Sequence, residues 1–376
     1  MEGPEGQKLT AGLGILEHFT VRDGLPDMKI ESIFEDRRGV LWFGTHDRGV
    51  VRYEGNDFKS FSRRDGLAGD GVYSIIEDGS ENLWFATNQG LTRYDGVEFV
   101  AIDPDEESYG FLWGSCRDHE GSLWFGLERR PGYPPALCRW DGGKLDLVDL
   151  VDSVREQGQS IHQIVVDPQG ELWCGGDGLY RGAAGAFREV EEFSQLPGQI
   201  YNLFACANGA LWVCAEDALY IYDSGVVTKV EEAGAYQIQA VVEGCANVIW
   251  ATTYEGQLLC FSEDGHSLIR EMDATCWKGL CLDQVGRLWI GTYGKGLYCY
   301  DTMRIQIFQK FQGLPSSLVT CLSSNGSGNL WVGTKNGLVL YDGDSCRPLQ
   351  GAGALEQSEV TALLFDKKCN SRGITI

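Results

Sequence analysis

Several features are scarce in this 376-residue sequence, and each scarcity removes a class of function. Thirty-one Lys and Arg stand against 54 Asp and Glu, a formal charge of −23, so the chain lacks the basic surface that nucleic-acid phosphates or anionic lipid require. No apolar run approaches the roughly 20 residues that cross a bilayer as a helix. Residues 1–14 are Gly-rich and polar, lack the apolar core of a secretory signal, and read as a disordered leader. The five histidines, His18, His46, His119, His162 and His266, show no metal-pair spacing. The 13 cysteines form no C-x-x-C pair and fall mostly inside strand-like runs, so they read as buried free thiols in a reducing compartment. A P-loop and a Gly-x-Ser-x-Gly elbow are missing, and no segment carries a long helical period. The sequence therefore implies no nucleic acid partner, no metal, no cofactor, no membrane span and a cytoplasmic location. An extracytoplasmic fragment without its signal peptide is the alternative.

What is abundant is repetition. A Leu-Trp or Ile-Trp pair recurs eight times, at Trp42, Trp84, Trp124, Trp173, Trp212, Trp250, Trp289 and Trp331, with gaps of 42, 40, 49, 39, 38, 39 and 42 residues. A period near 40 means one supersecondary unit repeated. Six residues before most of these tryptophans stands an Asp (Asp36, Asp78, Asp118, Asp167, Asp283) and three before stands a Gly, which together mark a hairpin turn. Cys206 and Gly244 replace the Asp in two copies. Runs such as Ile30 to Phe34, Leu41 to Thr45, Gly49 to Tyr53 and Phe58 to Phe61 have strand length and are rich in β-branched or aromatic residues. Four short antiparallel strands per repeat predict an all-β propeller of about eight four-stranded blades, with seven or nine as alternatives. The tryptophans are expected between neighbouring blades.

The two ends of the repeat differ. Leu16 to Thr20, followed by Asp23-Gly24-Leu25, resembles Phe58 to Phe61 followed by Asp65-Gly66-Leu67. This orphan outer strand is expected to close the ring beside the third strand of the eighth module, Gly337–Tyr341, hiding two sheet edges. The propeller is expected over 15–342, with 343–376 a surplus strand (Glu359 to Asp366) and a partial ninth module.

The unit D-x-x-G-x-L-W-[FIV]-G-T…G-[LV]-x-x-Y-[DE]-G, with Asp-Gly-Leu-Pro connectors, resembles the two-component regulator propeller repeat. Asp36 to Gly55, Asp78 to Gly96 and Asp283 to Asp301 carry the resemblance best. It implies a non-catalytic sensor portion that binds a small ligand or a protein partner in signal sensing, with a histidine kinase or cyclase output domain as a signalling partner. Two other functions compete with it: a propeller lyase or hydrolase acting on a polysaccharide or small cyclic substrate, and a pure protein-interaction scaffold. Fold alone does not choose between them. Gly175-Gly176-Asp177-Gly178 looks like a cyclase motif but is the Gly-rich turn after Trp173. No catalytic residue is assigned.

The copies differ most eleven residues before each Trp, at Glu31, Tyr73, Trp113, His162, Tyr201, Gln239, Lys278 and Thr320, whereas the preceding residue stays largely apolar. Near the start of an innermost strand, such residues would converge on the mouth of the central channel. Mixed aromatic and hydrogen-bonding groups around a cavity suit a small ligand. The expected ligand-binding residues are Tyr73, Trp113, His162, Tyr201 and Lys278. Arg129, Arg130 and Tyr133 are expected to overhang them from the Pro-rich insertion of the third module. Aromatic faces suit a sugar or planar ring, and Lys278 with the two arginines would favour an anionic group.

Overall fold

A computed structural model of the chain describes residues 16–102, 111–128, 137–148, 150, 160–183, 186–194, 198–234, 236–244, 248–262, 265–301, 314–316, 318–324, 330–341, 346–348, 358 and 360–361. Among them are eight four-stranded antiparallel sheets. The chain divides into two compact units, 1–304 and 305–376.

The first unit is a ring of seven blades. Blade one runs from its innermost strand outward as Ile30–Glu35, Leu41–Thr45, Val50–Glu54 and Asp57–Phe61. The innermost strands of blades two to seven are Val72–Glu77, Leu112–Arg117, Ile161–Val166, Ile200–Ala205, Ile238–Glu243 and Cys276–Leu282. Each is followed by a strand that carries the repeated Trp. A single construction explains why this sequence folds so. In blades one to four and seven the turn Asp uses one carboxylate oxygen to accept backbone N–H groups two and four residues on, as Asp36 does from Arg38 and Val40. Its other oxygen accepts the Trp Nε1–H six residues on, at 2.7–3.1 Å. The carboxylate thus ties turn geometry to indole orientation. At Asp78, burial would push the carboxyl up, but donors on Trp84, Asn82 and Ser80 hold it below the usual range. Where the Asp is replaced by Gly244, a Cβ would stand 2.9 Å from Trp250 Nε1.

Each indole lies between blades. Trp42 packs among Leu83, Phe85 and Tyr94 of blade two, and Trp289 of blade seven packs against Phe43 and Tyr53 of blade one. Burying an indole contributes at most about 4–6 kcal/mol of transfer free energy. A charged seam repeats beside it. The amide after the turn residue donates to a Glu closing the next blade's innermost strand: Arg37 to Glu77 (3.0 Å), Ala207 to Glu243 (3.0 Å) and Gln284 to Glu35 (2.8 Å). The last of these joins blade seven to blade one by the same joint that joins one to two, so the ring of the first unit closes at seven blades, the lower of the two alternatives to the expected eight.

The N-terminal strand, Leu16–Phe19, does close the ring, but on a different partner from the one expected. It pairs antiparallel with Leu297–Asp301 of blade seven, with Leu16 opposite Tyr300 and Phe19 opposite Leu297, rather than with Gly337–Tyr341. Side chains set this choice. Phe19 stacks 5.7 Å from Trp289 and meets Phe58 of blade one edge-on, while His18 stacks on Tyr298 at 4.2 Å. Of the ten cysteines whose side chains are described, seven are buried free thiols, and no helix among the described residues is long and apolar enough to cross a membrane.

The second unit holds the eighth module: Val319–Ser324, Leu330–Thr334, Gly337–Tyr341 and Cys346–Pro348 in one sheet. The Thr320 hydroxyl and the Cys321 thiol donate to the carbonyl of Val360, as the Ser32 hydroxyl donates to that of Val72 in the first unit. Val360 thus stands where a following blade's first residue stands elsewhere. The expected ninth strand otherwise lies outside the described residues, as does the leader 1–14.

Candidate functional site

The site follows from a defect repeated in every innermost strand. Each pairs with its Trp strand in regular register except for one slip near its start. The slips fall between Ile30 and Ser32, Val72 and Ser74, Leu112 and Ser115, Ile161 and Gln163, Ile200 and Asn202, Ile238 and Ala240, and Cys276 and Leu280. The residue eleven before each Trp lies in the slip. A bulge residue has no ladder partner, bends the strand and leaves the alternation of faces. Its side chain is therefore released from the blade-to-blade core, which is why this position varies while the residue before it stays apolar.

A second tier stands on the loops four residues after each Trp: His46, Asn88, Glu128, Asp177, Glu216, Tyr254 and Tyr293. One repeated bond fixes it. The backbone N–H of each of these residues donates to the carbonyl two residues before the bulge position in blades one to six, from His46 to Lys29 through Tyr254 to Gln237, and three before it in the longer bulge of blade seven, from Tyr293 to Thr275, at 2.8–3.2 Å. The two tiers thus form one rim. Acidic groups occupy the outer tier on blades three to five; His46, Tyr254 and Tyr293 stand on blades one, six and seven. Phe111, Tyr254 and Tyr293 are among the large exposed hydrophobic residues. Such exposed apolar area marks a contact surface when it is clustered.

Within the rim the structure brings together Tyr73, Trp113, His162 and Lys278. The Tyr73 and Trp113 rings are 4.5 Å apart, Phe111 lies 6.3 Å from Trp113, and the His162 ring meets Trp113 edge-on at 5.8 Å. Lys278 Nζ sits 4.9 Å from the Trp113 ring centroid. Glu31, 5% exposed, accepts a 2.7 Å bond from His46 Nδ1, and His46 in turn meets Tyr73 and Tyr293 edge-on. Burial dominates the electrostatics. It lowers Lys278 to about 8 against the opposing pull of Glu31. With the Lys278 charge adding to it, burial lowers His162 to about 4. It pushes Tyr73 up to about 12, helped by Glu31. Burial also raises Glu31, against the hydrogen bond and charge of His46. Trp113 Nε1, His162 Nδ1 and Gln239 Oε1 are buried without a hydrogen-bond partner.

Tyr201 occupies the same bulge register on blade five, where burial and Glu216 raise its phenol; the described ring contacts do not join it to the cluster. Arg129, Arg130 and Tyr133 lie outside the described residues. Sequence reasoning missed Glu31 with His46, and the whole outer tier. Their signal was a fixed offset from Trp, hidden because it falls in loops where variation is ordinary. No group of three or more metal-ligating side chains occurs among the described residues.

The two component regulator propeller family matches residues 24–47 and 66–89, which span the connectors, innermost strands and Trp strands of blades one and two. Among solved structures, the chain is similar to the extracellular domain of a B. thetaiotaomicron protein described as a hybrid two component system. The identity is 18% and the TM-score 0.66, over 89% of this chain and 49% of that one. It is also similar to the extracellular domain of a B. thetaiotaomicron protein described as a one component system, at 17% identity and TM-score 0.62 over 94% and 50%. A third likeness is to catalytically inactive virginiamycin B lyase from Staphylococcus aureus with quinupristin, at 13% and 0.63 over 77% and 100%. The chain spans about half the length of the two extracellular domains. At these identities the likeness establishes the propeller fold. A comparison with curated proteins returns no match.

Proposed function

We propose that this chain, built from two component regulator propeller repeats, is a non-catalytic sensing module that binds a small ligand at the channel mouth. The observation that carries this reading is the convergence of four bulge residues from different blades, Tyr73, Trp113, His162 and Lys278, on one aromatic centre. Unpartnered Trp113 Nε1 and His162 Nδ1 beside it supply hydrogen-bonding capacity that a ligand would use. The sensing role draws on the resemblance to extracellular domains of signalling proteins. The output partner, a histidine kinase or cyclase, is part of the proposal.

One observation favours a second reading. The lyase matches over its whole length, and His162 is an uncharged imidazole in the mouth, the state a general base requires. Depression to about 4 makes it a weak base at neutral pH, which is why binding is preferred. A thermal-shift screen of mono- and oligosaccharides, planar carboxylates and quinupristin tests both readings. A ligand is expected to stabilise the wild type and to lose most of that shift in Tyr73→Ala/Trp113→Leu, which removes the aromatic centre. Equal shifts in both proteins would place binding elsewhere, and turnover of quinupristin that is lost in His162→Ala would favour the lyase.

A further inference from the structure

Lys278 belongs to blade seven and Trp113 to blade three, three blades apart in a ring of seven, the greatest separation such a ring allows. Their 4.9 Å contact therefore crosses the channel mouth. Lys278 forms no ion pair among the described residues, and Glu31, the carboxylate whose charge it feels, is bonded to His46. An ammonium held on an indole face without a carboxylate partner shows what that face attracts. The ring quadrupole is electron-rich, and Tyr73 and Phe111 flank it. His162, uncharged there, opposes no cation. The outer tier adds Glu128, Asp177 and Glu216 on three consecutive blades, in a chain of net charge −23, a field that concentrates cations at the mouth. The Oε1 of Gln239, 3% exposed and unpartnered on the neighbouring blade six, offers an acceptor for an N–H of a primary amine.

Resting on the reading of the mouth as a small-ligand site, we propose that it takes an organic cation, an amine or quaternary ammonium, on the face of Trp113. Lys278 is the tethered occupant that such a ligand displaces. This reverses the expectation from sequence, in which Lys278 was to receive an anionic group. The lysine stem swings on rotatable bonds, so displacement needs no change in the blades.

The test is calorimetric titration of the full chain with tetramethylammonium chloride and methylammonium chloride at constant ionic strength, with sodium benzoate as the planar anion. Tetramethylammonium is expected to bind the wild type, and Lys278→Ala is expected to strengthen it by about tenfold, because an intramolecular competitor is removed. Trp113→Leu abolishes binding; Tyr73→Ala, which leaves the indole in place, weakens it and serves if Trp113→Leu does not fold. Unchanged or weaker cation binding in Lys278→Ala overturns the proposal, as does a failure of both cations to bind either protein. Benzoate binding that is lost in Lys278→Ala also overturns the cation assignment while leaving the mouth standing as the ligand site.

Discussion

His162 is held in the mouth as a neutral imidazole, and that state has a measurable consequence. Its native pKa of about 4 lies below the ordinary 6.5, so between these values the unfolded chain binds more protons than the native one. Stability is therefore fully present above about pH 6.5 and falls as the pH drops toward 4, by on the order of 3 kcal/mol for this group. Glu31 acts in the opposite sense. Burial raises its pKa, so the native state takes its proton more readily and gains stability on acidification. His162→Gln isolates the histidine. Urea midpoints of wild type and variant are expected to draw apart between pH 7.5 and pH 5, with the wild type losing more. Parallel pH profiles would mean that His162 is charged or solvated in the native state.

The bulge is the element that makes the site, and in blade three it depends on Gly114. A Cβ there would meet Gln163 Cα at 2.6 Å and the His162 carbonyl at 2.7 Å. These are backbone atoms of blade four, which cannot swing aside as a flexible side chain could. Gly114→Ala is therefore expected to push the two bulges apart. It should destabilise the protein by about 1–3 kcal/mol as overpacking and weaken any mouth ligand more than a surface change would. Unaltered ligand affinity and unaltered urea stability would show that the two bulges are not in tight contact. The strands themselves were legible from sequence: Leu41–Thr45 is found with the bounds that its β-rich run predicts, because a short, fully buried apolar run between Gly-marked turns leaves a local signature. The bulge was not. In a single sequence an extra residue looks the same as a variable one, and its existence is a relation between two strands. The convergence of Tyr73, Trp113, His162 and Lys278 was still anticipated, since release from packing shows as variation flanked by constancy. His46, the partner of Glu31, was passed over because its loop gave no contrast.

At the scale of the whole first unit, the seven-to-one seam is built like the one-to-two seam, with an indole held by its turn Asp and a backbone amide donating to a Glu of the next blade. Trp289→Ala at that seam and Trp124→Ala at the three-to-four seam should each cost about 3–5 kcal/mol in urea unfolding, because the surrounding β core cannot collapse into the void. A much smaller cost for Trp289 would show that the ring is not closed there. The partner of the N-terminal strand was misjudged from sequence because modules seven and eight share one grammar. Leu297–Asp301 and Gly337–Tyr341 both follow a Gly turn and both end near a Tyr, and local pattern carries no count of how many blades complete a circle. What distinguishes them is the stack of Phe19 on Trp289 and its edge-on contact with Phe58, contacts between segments far apart in the chain. The repeated bulge also bears on how such a molecule changes over time. Because the core neither reads nor needs the side chain at that position, each blade offers one letter that can be rewritten without disturbing the scaffold. Tyr73, His162 and Lys278 all meet at Trp113, so a substitution at one of these letters changes the setting of the others while the strands and the Trp–Asp ties stay as they are. The two extracellular domains and virginiamycin B lyase share this frame at below 20% identity to the chain.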